Sequence, residues 1–80
     1  MMLLFLEVNM KNKSRELKAN IKALSKLELN INNKYNDKDI FDEIKLYKKS
    51  LSFFIKNKLF DRALYESEYL IDLLIYYLED

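Results

Sequence analysis

Between residues 59 and 78, Phe60, Leu64, Ser67, Ile71, Leu74 and Leu78 recur at alternating steps of four and three, the spacing of one helical face. From residue 69 to residue 78 every position except Asp72 is apolar or aromatic. A helix that is hydrophobic all round requires neighbours on several sides, so the rest of the chain is expected to cover this one. Leu17, Ile21, Leu24, Leu27 and Ile31 predict a first helix over 14–31, with Ser14 or Asn12 as its cap. Ile40, Ile44, Tyr47, Leu51 and Phe54, flanked by Phe41 and Ile55, predict a second over 39–56. Asp39 or Asp37 caps it, and Asp42 and Glu43 follow in the first turn, where the helix dipole favours negative charge. Residues 30–39, rich in Asn, Asp and Lys, form the one long connection. Asn57 is the residue expected to take a left-handed cap before the apolar phase restarts at Leu59 and Phe60. The predicted fold is therefore all-α: a three-helix bundle in one domain, with helices over 14–31, 39–56 and 59–78 and a C-terminal antiparallel helical hairpin. In it Ser67 is small enough to let a facing helix come close.

Composition sharpens this picture. The 80 residues contain no Gly, Pro, Cys or His, which removes glycine-rich phosphate loops, disulfides and thiolate or imidazole metal sites. A chain this short buries only about 60% of its unfolded surface, so a second copy or a partner protein is expected to complete the core. The interface predicted for a homodimer or partner is Tyr69, Leu70, Leu73, Leu74, Tyr77 and Leu78. The opening MMLLFLEV is shorter than the roughly 20 residues a membrane span needs and lacks the layout of a signal peptide. Met10 reads as an alternative start, which makes residues 1–9 an extension. A soluble, cytoplasmic protein is the expectation.

Charge is segregated along the chain. The net charge is +1, yet residues 1–58 carry thirteen basic and seven acidic side chains (+6) while residues 59–80 carry one and six (−5). Complementary packing of helices within the bundle is the preferred account, and a basic surface turned to nucleic acid the alternative. Arg15, Lys18, Lys22 and Lys26 fall within roughly 80° of arc, opposite the first helix's apolar face; Lys45, Lys48, Lys49 and Lys56 form a second basic surface. No aromatic residue interleaves the first stripe, so it would hold phosphates rather than stack bases.

Catalytic chemistry finds little footing without His or Cys. Asp37, Asp39, Asp42 and Glu43 are the densest carboxylates, but they lack the glycine and ligand register of a calcium loop and read as capping residues. Asp72, the one charge among nine apolar neighbours, is expected to face solvent or a lysine of another helix. No catalytic residue, metal, cofactor or small-molecule substrate is assigned.

The run Tyr47-x-x-Ser50-x-x-Phe53-Phe54-Ile55-x-Asn57-Lys58-x-Phe60-x-Arg62-Ala63-Leu64, followed by Tyr69 and Leu73-Leu74, resembles a family of short archaeal helical proteins of unknown function. The resemblance spans about residues 14–78 and implies a similar helical hairpin. Where that family shows Gly-Asp in the turn, this chain has Lys58 and Leu59; where it shows Ala-His-Gly after the tyrosine, this chain has Leu70, Ile71 and Asp72. The hairpin also resembles one tetratricopeptide unit, with Ala63 at the small packing position, although no second copy recurs at a period of about 34 residues. It is similar too to the HEPN hairpin of RNA-processing systems, whose nucleases need an arginine and a histidine; Arg62 alone does not supply both. The sequence thus points to a small non-catalytic helical interaction module working through its third helix, with RNA association through Arg15, Lys18, Lys22 and Lys26 as the alternative.

Overall fold

A computed structural model describes the backbone of residues 2–79 and the side chains of residues 12–79. Three helices and no strands account for nearly all of it: α1 (Met2–Lys34), α2 (Lys38–Lys56) and α3 (Phe60–Glu79). The all-α three-helix bundle is as expected, but α1 is far longer than 14–31. Asn12 and Ser14 lie inside it rather than capping it. With neither Gly nor Pro to break the backbone ladder, such residues cost at most about 0.7 kcal/mol each and do not stop a helix. The expected extension is helical and continuous with α1 over residues 2–9; Met1 lies outside the described residues, as does Asp80.

Of the two candidate caps for α2, Asp37 does the capping. Its backbone is extended, and its Oδ1 accepts a hydrogen bond from the Asp39 N–H at 2.9 Å. At the other end the left-handed residue is Lys58 (φ 58°), not Asn57 (φ −92°). Lys58 N–H donates to the Ile55 carbonyl at 3.0 Å and Leu59 N–H to that of Phe54 at 2.8 Å, the paired bonds of a Schellman closure. Asn57 belongs to the helical turn itself: its backbone N–H (3.1 Å) and its Nδ2 (2.8 Å) both donate to the Phe53 carbonyl. A residue with a Cβ is disfavoured in the left-handed region by roughly 1–2 kcal/mol. Lys58→Gly is therefore expected to stabilise the chain by about 1 kcal/mol, less the extra backbone entropy glycine brings to the unfolded state, and to raise the thermal midpoint by a few degrees. A lowered midpoint would contradict the left-handed turn at residue 58.

The cross-helix contacts fix the topology. Lys13 meets Asp61, Asn20 meets Ser67, and Lys34 meets Tyr77 and Leu78, so α1 runs parallel to α3. Tyr47 with Tyr69, Phe54 with Arg62 and Glu43 with Tyr77 make α2 and α3 the expected antiparallel hairpin. Both α1 and α2 pack on α3, while their own backbones stay apart. The result is a flat body of 51 × 20 × 14 Å, with α3 beneath the gap between the other two helices.

Its core joins Leu17, Leu24 and Ile31 of α1 to Ile44 and Leu51 of α2 and to Ala63, Leu70 and Leu74 of α3. The buried line of α3 is Ala63, Ser67, Leu70 and Leu74, whereas Phe60, Leu64, Ile71 and Leu78 of the expected stripe are only half-buried. The fully enclosed Ala63 and Ser67 explain this rotation. One turn apart, they make a flat track on which α1 closes in. Ser67 remains satisfied there: its Oγ accepts from Asn20 Nδ2 at 3.0 Å and donates to the Leu64 carbonyl at 2.8 Å.

Candidate interaction surfaces

Because α3 is enclosed on two sides by its own chain, the predicted interface does not form one surface. Leu70 and Leu74 are each only 1% exposed and belong to the core. Leu73, Tyr77 and Leu78 are half-buried beside it; only Tyr69, at 49%, is open. Of the apolar residues over 69–78, α1 and α2 cover all but Tyr69, Ile75 and Tyr76, which stay exposed.

What remains open on α3 is a different set. Tyr65, Tyr69 and Tyr76 are exposed and fall within roughly 40° of arc at 100° per residue. About 60° further round the helix on the same construction lie Asp61, Glu68, Asp72 and Glu79, all exposed. The outer face of α3 is therefore a row of tyrosines beside a row of carboxylates. Asp72 faces solvent, as one of its two expected placements required. Leu46 and Phe53 of α2 are also exposed and fall on the side of that helix away from its buried Ile44 and Leu51 at 100° per residue. The periodicity reading missed this arrangement because it followed the apolar face. The signal was present in the spacing of the tyrosines against that face.

The tyrosine row is anchored at its centre. Tyr69 packs on Tyr47 with ring centroids 5.4 Å apart, and its hydroxyl, ahead of burial and the charges of Glu43 and Glu66, pushes the Tyr47 phenol up to about 12. Tyr77 donates to Glu43 Oε2 at 2.9 Å, and this bond, followed by burial, raises its pKa above the ordinary 10.0. Both shifts favour the protonated phenol in the folded state. The unfolded chain therefore releases these protons first as pH rises, and stability falls from about pH 10 upward through the folded-state values. Alkaline titration followed by circular dichroism is expected to show this loss, and Tyr77→Phe to reduce it; an unchanged alkaline transition in that variant would contradict the Tyr77–Glu43 link.

The opposite broad side of the body is basic. Between α1 and α2 runs a groove of about 500 Å³, lined among others by Glu28, Phe41, Ile44, Lys45, Lys48 and Lys49. A second cavity of about 90 Å³, which shares Glu28, Ile44 and Lys48 with the groove, is lined among others by Leu24, Leu51, Leu70 and Leu74. Lys48 pairs with Glu28 across the groove at 3.1 Å. Lys45 and Lys49 are exposed and make no ion pair among the described residues. Arg15, Lys18, Lys22 and Lys26 are likewise exposed on the outside of α1, with no such pair.

The charge segregation is thus not consumed by helix packing. Among the described residues one ion pair, Lys13 with Asp61, joins α3 to a basic helix. The seams are filled by apolar and small side chains, which leaves Glu68, Asp72 and Glu79 outside. The preferred account of the charge pattern is corrected accordingly.

Of the Asp37, Asp39, Asp42 and Glu43 carboxylates, Asp37 caps α2 and Glu43 accepts from Tyr77. Among the described residues no group of His, Cys, Asp or Glu is arranged to hold a metal ion, and no helix is long and apolar enough to cross a membrane. Lys34 and Tyr35, unremarked in the sequence, close the end of α3. Lys34 Nζ donates to the Tyr77 and Leu78 carbonyls at 3.2 and 3.1 Å, and the Tyr35 hydroxyl donates to that of Tyr77. Lys34 supplies the positive charge that a helix C-terminus favours and that α3 lacks in its own last turn. No family model matches the chain, and no curated protein or solved structure matches it.

Proposed function

We propose that the chain is a small, non-catalytic helical module that binds another protein chain through the outer face of α3. The carrying observation is the exposed row Tyr65, Tyr69 and Tyr76 on one face of α3. Tyrosines offer large rigid contact area with a polar tip and are enriched where protein surfaces meet. The aromatic contacts of Tyr69 with Tyr47 and of Tyr76 with Tyr77 hold two of the three rings ready. On this reading Leu70 and Leu74 maintain the fold, and Tyr69 is the one member of the sequence-predicted interface that meets the partner directly.

A second reading is favoured by the four cations Arg15, Lys18, Lys22 and Lys26, exposed and without ion pairs among the described residues. They would hold a nucleic-acid backbone with little sequence preference.

One experiment separates the two. Tagged chain is used to capture partners from host lysate, with and without nuclease, beside a Tyr65→Ser/Tyr69→Ser/Tyr76→Ser variant and a Lys18→Glu/Lys22→Glu/Lys26→Glu variant. Stoichiometric protein that survives nuclease and is lost only in the tyrosine variant is the expected result. Recovered nucleic acid that disappears only in the lysine variant would overturn the module reading in favour of the second.

A further inference from the structure

The two broad sides of the molecule carry opposite chemistry. The α1–α2 groove opens on the side towards which α3 turns its buried line, since Leu70 and Leu74 line the smaller cavity that shares Glu28, Ile44 and Lys48 with it. The tyrosine and carboxylate rows lie on the far side of α3. One side therefore offers Lys45 and Lys49 above an apolar trough containing Phe41 and Ile44; the other offers Glu68, Asp72 and Glu79 beside Tyr65, Tyr76 and Ile75, all exposed. Neither set is neutralised among the described residues: the two ion pairs there, Lys13–Asp61 and Lys48–Glu28, involve none of these side chains.

We propose that the outer face of α3 in one copy docks into the α1–α2 groove of a second copy, its carboxylates against Lys45 and Lys49 and its large side chains in the apolar trough. The inference rests on the reading of the chain as an interaction module and names the partner as the chain itself. The outer face of α3 offers both carboxylates for Lys45 and Lys49 and large side chains for the trough, whereas a phosphate backbone would meet the lysines but leave the apolar trough of Phe41 and Ile44 unfilled. A groove of about 500 Å³ is sized for a few large side chains projecting from a helix rather than for a whole helix. Because the two surfaces lie on opposite sides, the contact is heterologous. It does not close after two copies unless the rotation happens to form a ring, and it otherwise builds an open stack.

The test uses sedimentation velocity on the full chain over a wide concentration range, at low and high salt. Wild type is expected to rise from its 9.7 kDa monomer mass through dimer to larger species, and to fall back at high salt. Lys45→Glu/Lys49→Glu makes both sides acidic, and Glu68→Lys/Asp72→Lys makes both basic. Each variant alone is expected to associate about tenfold more weakly or worse, because like charges then meet across the contact. All four positions are exposed, and helical circular dichroism confirms that the variants fold. An equimolar mixture of the two restores opposite charges at every junction and is expected to recover the large species. Association that resists both reversals, a species that stops at dimer and ignores salt, or a mixture that fails to recover overturns the proposal. A wild type that stays monomeric while the tyrosine row still captures a different protein overturns the second-copy assignment and leaves the module reading standing. Loss of both overturns the two together.

Discussion

Leu74→Ala is expected to cost 2–5 kcal/mol, the usual range for emptying a closed leucine site. Leu74 is 1% exposed, and its surroundings come from all three helices, so no single helix can shift to refill the space. For 80 residues the total stability is of order 4–12 kcal/mol, and this one change therefore removes a large share of it. Tyr76→Ala, two residues further along the same helix and 63% open, is expected to stay within about 0.5 kcal/mol of wild type. Urea denaturation of the pair checks the contrast. Similar losses for both would mean that α3 does not divide into an inner structural face and an outer free one.

Ser67→Leu is the second large effect. Ser67 is fully buried where α1 lies on α3, and extra methylenes in a packed seam typically cost about 1–3 kcal/mol. Losing the hydroxyl also removes the bonds to Asn20 Nδ2 and to the Leu64 carbonyl, worth about 1 kcal/mol each at most in net terms. A loss of about 2–4 kcal/mol is expected on these figures. Ser67→Ala keeps the seam closed and loses only the hydrogen bonds, so its cost should be about 1 kcal/mol. A leucine variant as stable as the alanine one would show that α1 does not close on this track.

The sequence made the helical class readable because three apolar periodicities were separated by one Asn- and Asp-rich stretch and by the short Asn57-Lys58 turn, and nothing broke the helices in between. It placed Leu17, Leu24, Ile31, Ile44 and Leu51 correctly, since α1 and α2 each bury a single stripe. On α3 the same reasoning slipped by roughly 50° round the helix at 100° per residue. That helix touches two neighbours, and the small Ala63 and Ser67, rather than the largest apolar residues, decide which side is innermost. For the same reason Leu70 and Leu74 could not be told from surface leucines: apolarity marks a need for cover without saying which chain provides it. The left-handed residue was misplaced by one position because a side-chain preference for Asn was weighed, whereas the hydrogen-bond register of the Schellman closure fixes Lys58. The tyrosine and carboxylate rows were legible as spacings, but their isolation from the lysines depends on how α1 and α2 flank α3, which only the fold specifies.

The central claim is that α3 is completed from within by α1 and α2, and offers its outer face from an already folded chain. Amide hydrogen exchange on dilute protein at high salt, where association is suppressed, tests it most directly. Amides over residues 67–74 are expected to be the slowest in the chain and to exchange only through global unfolding. If they exchange as fast as those of α1 near Asn12 and become protected only when the protein is concentrated, the core of α3 is supplied by another copy, and the account is contradicted.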